Sequence, residues 1–338
     1  MRRSPGCWPA GLAGPWARRW QQWFGVPSTP AIAKARARLG AEPLRRLFAE
    51  VARPLATPAT RGAWYRNWRV CSIDGACLDV PDTAANAAAF GRPATHRGEQ
   101  AAFPQVRLVG VAECGTHALL GAAMGPLARG ETTLAREVLG VLGEGMVVLA
   151  DRQFAAAWLW RQAAATGAQL VWRTKTNAVL PVLEALPDGS YLSQITAATD
   201  RRHGVRPTVV RVVEYTLGKD RGRQQQPGPY RLLTTILDPV QAPAAELAAL
   251  YHQRWEFETA LDELKTHQRG PGVVLRSRSP EGVAQEVWAM LGVHLAIRRL
   301  MHQAALDADV DPDRLSFVRS LRVVRRQVAT TGQVAIPP

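Results

Sequence analysis

Residues 146–173, MVVLADRQFAAAWLWRQAAATGAQLVWR, carry the pattern that sorts this chain into a fold class. MVVLA is a run of apolar β-formers without alternation, as expected of a strand buried on both faces, and it stops at Asp151. FAAAWLWRQAAAT then reads as a helix, and AQLVWR reads as a second strand. Strand, helix and strand in close succession imply a parallel pair with a crossover helix, and hence an α/β section. Sites in such sheets form at the carboxyl ends of the strands, where Asp151 stands.

The neighbouring sequence extends the sheet. WRVCSID and ACLDV are β-type runs with Asp74-Gly75 between them as a turn-forming pair. QVRLVGVAE (105–113) and HALLGAAM (117–124) follow, joined by a turn at Cys114-Gly115-Thr116, so the start of the sheet reads as an antiparallel meander. ETTLAREVLGVL (131–142) is helical. Between 174 and 240, PTVVRVVEY and YRLLTTIL are strands with no helix between them and many Arg, including Arg201, Arg202, Arg206, Arg211, Arg221 and Arg223. Pro243 opens a helix that ends near Gly270, and Ser279-Pro280 opens a longer one. Upstream, Ser28-Thr29-Pro30 starts a basic helix that Gly40 stops, and Pro43 opens a second, giving a helix-turn-helix-like pair. The expected organisation is a basic helical N-terminal region (1–66), a first core part (67–173), a β-rich insertion (174–240) and a C-terminal helical core part (241–338).

With 338 residues, 47% of them hydrophobic, the chain can build a sizeable core. It has no run of about 18 uncharged apolar residues, so no membrane span is expected, and Pro5, Pro9 and Pro15 break the apolar start. A cytoplasmic, nucleoid-associated location is the expectation. The four cysteines form no CxxC pair and the seven His show no HxxxH pairing, which argues against zinc. Net charge is +14, and residues 1–69 hold 13 Lys or Arg against only Glu42 and Glu50. Six of the 11 Trp fall there as well, including Trp8, Trp16, Trp20 and Trp23. A basic, aromatic-rich arm suits a polyanion partner, although a merely soluble basic surface has the same composition.

A second stretch, LYHQRWEFETALDELK (250–265), places polar residues where a helix meets the protein body. At about 100° per residue, Tyr251, Arg254, Glu258, Asp262 and Lys265 form one row beside the apolar stripe of Leu250, Phe257, Leu261 and Leu264. His252, Glu256, Thr259 and Glu263 fall on the opposite, solvent side. Asp74 in the first strand, Asp151 after a buried strand and Glu258 on this helix are each placed to reach one cleft. Three carboxylates without His or Cys make an oxygen site suited to Mg²⁺ or Mn²⁺. Asp after a strand and Glu on a helix are also ordinary turn and surface chemistry, so position alone leaves both readings open. Asp79 and Asp82 read as turn residues, Asp262 as a hydrogen-bonding or ion-pair neighbour, and DADVDPD (307–313) lacks the Gly and Glu of a calcium loop.

The spacing Tyr251, Arg254, Glu258, Lys265 resembles the YREK signature of the insertion sequence 4 family of bacterial DDE transposases. SIDG around Asp74 and LADRQF around Asp151 resemble that family's two Asp blocks, in the correct order, and the resemblance covers roughly residues 28 to 326. It implies a ribonuclease H-like core with the β-rich insertion between the second Asp and the Glu. Asp74, Asp151 and Glu258 are then the catalytic and metal-binding residues for two divalent ions, Mg²⁺ or Mn²⁺. Tyr251, Arg254 and Lys265 are expected on DNA phosphates, with Trp255 either in the core or stacked on an extruded base. The implied activity is endonucleolytic cleavage at the terminal inverted repeats of a mobile element and strand transfer into target DNA, by a homodimer in the synaptic complex.

Two positions depart from the blocks, Gln153 in place of Gly and Ala76 in place of Thr, and neither is a ligand. Three function classes therefore stand side by side: an active transposase, a truncated or inactive relic that binds DNA without cutting, and a metal-free hydrolase working with paired carboxylates.

Overall fold

The computed structural model describes residues 28–94, 101–196, 204, 206–216, 230–268 and 274–330. The Trp-rich arm before residue 28, with Trp8, Trp16, Trp20 and Trp23, lies outside them, as do Arg201, Arg202, Arg221, Arg223 and the C-terminal VAIPP.

Helix α1 (Thr29–Leu39) starts on the Ser28 side chain, which accepts from Ala31 N, and stops at Gly40, whose φ of 70° ends it cheaply. It buries none of its own side chains. Arg36 holds it instead, donating to Gln285 Oε1 at 3.0 Å and Ser277 Oγ at 3.1 Å. Helix α2 (Glu42–Val51) buries Phe48 against Trp288, with ring centroids 5.7 Å apart.

The sheet is built from β1 (Trp64–Tyr65), β2 (Trp68–Asp79), β3 (Gln105–Glu113), β4 (Ala118–Pro126), β5 (Met146–Ala150), β6 (Gln169–Arg173), β7 (Glu184–Ala185), β8 (Tyr191–Ile195), β9 (Thr208–Tyr215) and β10 (Tyr230–Thr234). Its order is β4-β3-β2-β5-β6-β10-β9-β8-β7, with β1 paired to β2. β2, β3 and β4 are antiparallel, as the meander reading expected, while β2, β5 and β6 run parallel. β10 joins β6 antiparallel, so the strands after residue 174 extend the same sheet.

The helices divide between its faces. After α3 (Ala84–Phe90) come α4 (Glu131–Val138) and α5 (Ala157–Ala164), which pack on the face carrying Cys71, Ile73, Val148, Ala150 and Trp172. The other face carries Val70, Ala76, Leu78, Val147 and Leu149 and is covered by helices from the C-terminal part. These are α6 (Ala244–His252), α7 (Trp255–Asp262), a π-helical turn (Glu263–Gln268), α8 (Pro280–Asp307) and α9 (Phe317–Thr330). Strand β5 is buried almost throughout because it serves both layers. Fully burying a residue such as Leu149 stabilises the fold by about 2 to 3 kcal/mol.

Three local expectations are corrected. Asp74-Gly75 makes no turn, since β2 runs unbroken through it with Asp74 opposite Gly110 and Gly75 opposite Val109. A Cβ at Gly75 would lie 3.1 Å from the Glu131 carboxylate. The stretch 250–265 is not one helix either. It turns at Gln253 and Arg254, whose N–H groups bond three residues back to Leu250 O and Tyr251 O, and it widens into the π turn at Glu263. Finally, Glu263 is buried instead of solvated, because α8 covers the flank that the helical wheel assigned to water.

Candidate active site

In the parallel ladder, Ile73 of β2 pairs with Ala150 of β5. The next residue along each strand is an acid, Asp74 or Asp151. Side chains alternate across a sheet, so both carboxylates fall on the face of Val70, Val147 and Leu149, the one α6 and α7 cover. β5 ends before Asp151, whereas Asp74 sits inside a continuing strand. Each acid ties down one oxygen locally, Asp74 Oδ1 accepting from Gly75 N at 2.8 Å and Asp151 Oδ1 from Arg152 N at 2.6 Å.

The break in the helix brings the third acid to this place. Arg254, in the turn between α6 and α7, points its guanidinium into the cleft with only 10% of its side chain exposed. One end donates to Asp74 Oδ2 at 2.8 Å and the other to Glu258 Oε1 at 2.8 Å. Asp74, 180 residues before Arg254, and Glu258, four after it, are thereby joined through one cation. Burial raises the Asp74 carboxyl from an ordinary value of 3.8 to about 6, with Glu258 and Asp151 adding repulsion that Gly75 N–H and Arg254 only partly offset. Burial opposes the charge on Arg254, but Tyr251, Asp74 and Glu258 outweigh it and raise its pKa. Burial also pushes the Tyr251 phenol up.

Two donors here have no acceptor. The Tyr251 hydroxyl and Arg254 Nε are buried without hydrogen-bond partners. Leaving such donors unpaired in a core is costly. Trp255 is 57% exposed, which removes its core reading, and the Arg254 guanidinium lies 5.6 Å from its ring centre. Lys265 is half-buried on the π turn, seven residues beyond Glu258, and forms no hydrogen bond or ion pair among the described residues. Asp262 lies exposed and accepts from Thr266 Oγ1 at 2.6 Å, the neighbour role expected of it.

Among the described residues, no three His, Cys, Asp or Glu side chains stand close enough together to hold a metal ion. The structure instead joins Asp74, Arg254 and Glu258 directly, with Asp151 at the adjoining strand end.

One functional-looking cluster escaped the sequence reading. The Glu263 carboxylate accepts from His294 Nε2 at 3.0 Å and Arg298 Nε at 2.9 Å, with His117 Nδ1 at 3.6 Å. Burial alone would raise its pKa, yet His117, His294 and Arg298 hold it down at about 2. The available signal was His294 and Arg298, two polar residues four apart on the otherwise apolar middle of α8. Arg211 is likewise structural. It is fully buried on β9 and reaches Asp188, Ser190 Oγ and the carbonyl of Ala242, welding the β7–β8 turn to the start of α6.

The family model for the transposase DDE domain matches residues 68–296, a span that includes Asp74, Asp151, the Tyr251–Arg254–Glu258 turn and Lys265. The chain belongs to the DDE transposase family. Within that family it is similar to the transposase InsG for insertion sequence element IS4 of Escherichia coli (strain K12), 30% identical over 310 residues. That match takes in 91% of this chain and 68% of InsG, and places the chain in the insertion sequence 4 group. It is also 31% identical over 124 residues to the putative transposase InsZ of the same organism, covering 37% of this chain and 42% of InsZ. This DDE domain therefore begins with β2 and ends within α8, with α1, α2 and α9 packed outside the matched span.

Proposed function

We propose that the chain is the transposase of an insertion sequence, cutting phosphodiesters at the element's terminal inverted repeats and transferring the freed 3′ ends into target DNA. The observation that carries this reading is the pair of carboxylates on adjoining parallel strands, Asp74 and Asp151, the first of them tied to Glu258 through Arg254. The strand order β4-β3-β2-β5-β6 supports a ribonuclease H-like core, and β7 to β10 correspond to the insertion that precedes the Glu.

The donor set fits divalent ions. It is all-oxygen and short of charge compensation at Asp74, and the Arg254 guanidinium, which bridges Asp74 and Glu258 in this structure, would have to give way for the three to share an ion. Asp74, Asp151 and Glu258 would hold two Mg²⁺ or Mn²⁺ ions, which supply Lewis acidity and a readily ionised water or hydroxyl at the scissile phosphate. The protein's own groups do the positioning. Released from Asp74 and Glu258, Arg254 would fork onto phosphate oxygens, and the Tyr251 hydroxyl, unpaired in this structure, would donate to another. Lys265 adds a point charge further along the strand, and the exposed Trp255 ring offers a stacking surface for an unpaired base. The basic region 1–66 and a second copy of the chain would complete recognition and synapsis.

The test is a cleavage assay on labelled duplexes carrying the element's ends, with Mg²⁺, Mn²⁺ or EDTA. Asp74→Ala, Asp151→Ala and Glu258→Ala should each abolish cutting while leaving DNA binding intact. Wild-type binding with no cleavage under either metal would instead support the inactive relic, and cleavage that survives EDTA would reject the metal chemistry.

A further inference from the structure

The C-terminal helix α9, FVRSLRVVRRQVAT, holds four Arg, and residues 315–330 contain no Asp or Glu. Phe317 and Leu321 are buried against Ile297 and Met301 of α8, which fixes the helix's rotation. At about 100° per residue, Arg319, Arg322 and Arg326 then fall within about 60° of one another on the opposite side, and all three are exposed. Like charges at this spacing repel, and a face that only needs solubility normally interleaves both signs. Arg319 and Arg322 form no ion pair with any described residue. The fourth, Arg325, lies on the flank and donates to Gln268 O at 2.8 Å, at the end of the π turn that carries Lys265. Glu258, Lys265, Gln268 and the α9 row thus follow one another along a continuous run of packed elements.

We infer that α9 is a phosphate-binding rail for duplex DNA, continuing the track that leaves the active site past Lys265. This rests on the proposed transposase function. A DNA backbone is the occupant the charge favours, since Arg319 and Arg322, exposed and without a carboxylate partner among the described residues, gain most from a surface of regularly spaced phosphates. The rail lies beyond the matched catalytic domain. It would therefore grip the element end without touching the reacting phosphate and would read no sequence itself.

Binding of a short duplex of arbitrary sequence, followed by fluorescence anisotropy over a salt series, tests the inference. With Arg319→Gln/Arg322→Gln, the slope of log affinity against log salt should fall by about 1.8 and affinity at physiological salt by about 30-fold, the loss expected for two phosphate contacts. Arg319→Lys/Arg322→Lys should keep most of both. Arg136→Gln/Arg161→Gln, which removes the same charge from exposed positions on α4 and α5 across the sheet, should leave the slope unchanged. Melting curves confirm that each variant is folded. An unchanged slope in the α9 variant overturns the inference while wild-type binding leaves the transposase reading standing. An equal fall in the α4 and α5 variant overturns it in favour of a bulk charge effect. Loss of a dimer with the DNA slope intact overturns it in favour of contact between copies. A wild-type chain with no salt-dependent affinity for DNA removes the function reading and the rail together.

Discussion

Replacing Asp74 with Asn should make the metal-free protein more stable at pH 8. Asp74 has its carboxyl raised from 3.8 to about 6 in the folded chain, chiefly by burial. A raised carboxyl contributes its full stability below the unfolded value near 3.8 and loses it as pH climbs through about 6. Between those limits lie roughly two pKa units, worth about 3 kcal/mol at 1.36 kcal/mol per unit, so ionised Asp74 weakens the fold by about that much at pH 8. The contact with Arg254 is already included, because the shift is what remains after that attraction has acted. Asn imitates the protonated acid, can still accept from Gly75 N and carries no charge to desolvate. Thermal melts of wild type and Asp74→Asn in EDTA should show the variant higher by about 5 °C at pH 8 and level with wild type near pH 4. A variant equal to or below wild type at pH 8 refutes the reasoning, because Arg254 would then outweigh burial and Asp74 would be an ordinary ion-pair partner. A gain that persists at pH 4 refutes it equally, since the effect would not come from ionisation.

Other outcomes follow from the same contacts. Arg254→Gln removes the cation that spans Asp74 and Glu258, so Mn²⁺ affinity measured by calorimetry without DNA should rise several-fold; a fall would show that Arg254 orders the carboxylates more than it competes with a metal. Glu263→Ala leaves Arg298 buried beside His117 and His294 without its carboxylate, a loss of about 3 to 5 kcal/mol in denaturant unfolding, and a cost below about 1 kcal/mol would mean that water enters the cluster. Arg211→Met should destabilise the fold by a similar amount yet leave the salt dependence of DNA binding untouched, which separates this buried Arg from a DNA contact. Gly75→Ala sets a methyl about 3.1 Å from the flexible Glu131 side chain, which can give way, so the loss in denaturant unfolding should stay below the ~1 to 3 kcal/mol of an overpacked core; a larger loss that Glu131→Ala does not recover would place the strain elsewhere in β2.

The parts of the fold legible in the sequence were those encoded by short-range pattern. MVVLA shows its burial on both faces by continuous apolar composition, and Ser279-Pro280 opens α8 at the expected residue. The turn at Cys114-Gly115-Thr116 and the stop at Gly40 are also local, and Gly40 and Gly115 take the positive φ that suits glycine. Asp74-Gly75 misled because Asp-Gly is turn chemistry only when no partner strand claims it, and β3 pairs with β2 along the whole stretch. The wheel over 250–265 assigned Leu250, Leu261, Leu264, Tyr251 and Arg254 to the buried side and failed at Asp262, which is exposed, and at Glu263, which is buried. A periodic pattern separates apolar from polar, but it has no term that distinguishes water from a covering helix bearing His294 and Arg298.

For the candidate site, the sequence by itself determined which residues are offered: two acids beside parallel strands, and a Tyr, Arg, Glu and Lys at fixed spacing on the helical segment that follows. Strand composition, helix period and motif spacing are all local, so they survive without knowledge of the fold. The tertiary structure alone decided that Asp74 lies inside a strand, that Arg254 sits in a helix break and spans Asp74 and Glu258, and that the Tyr251 hydroxyl is left without a partner. Those facts depend on groups 180 residues apart in the chain, Asp74 and Arg254, meeting in a partly buried cleft. The energy of a buried charge is set by its neighbours in space, which chain order does not record.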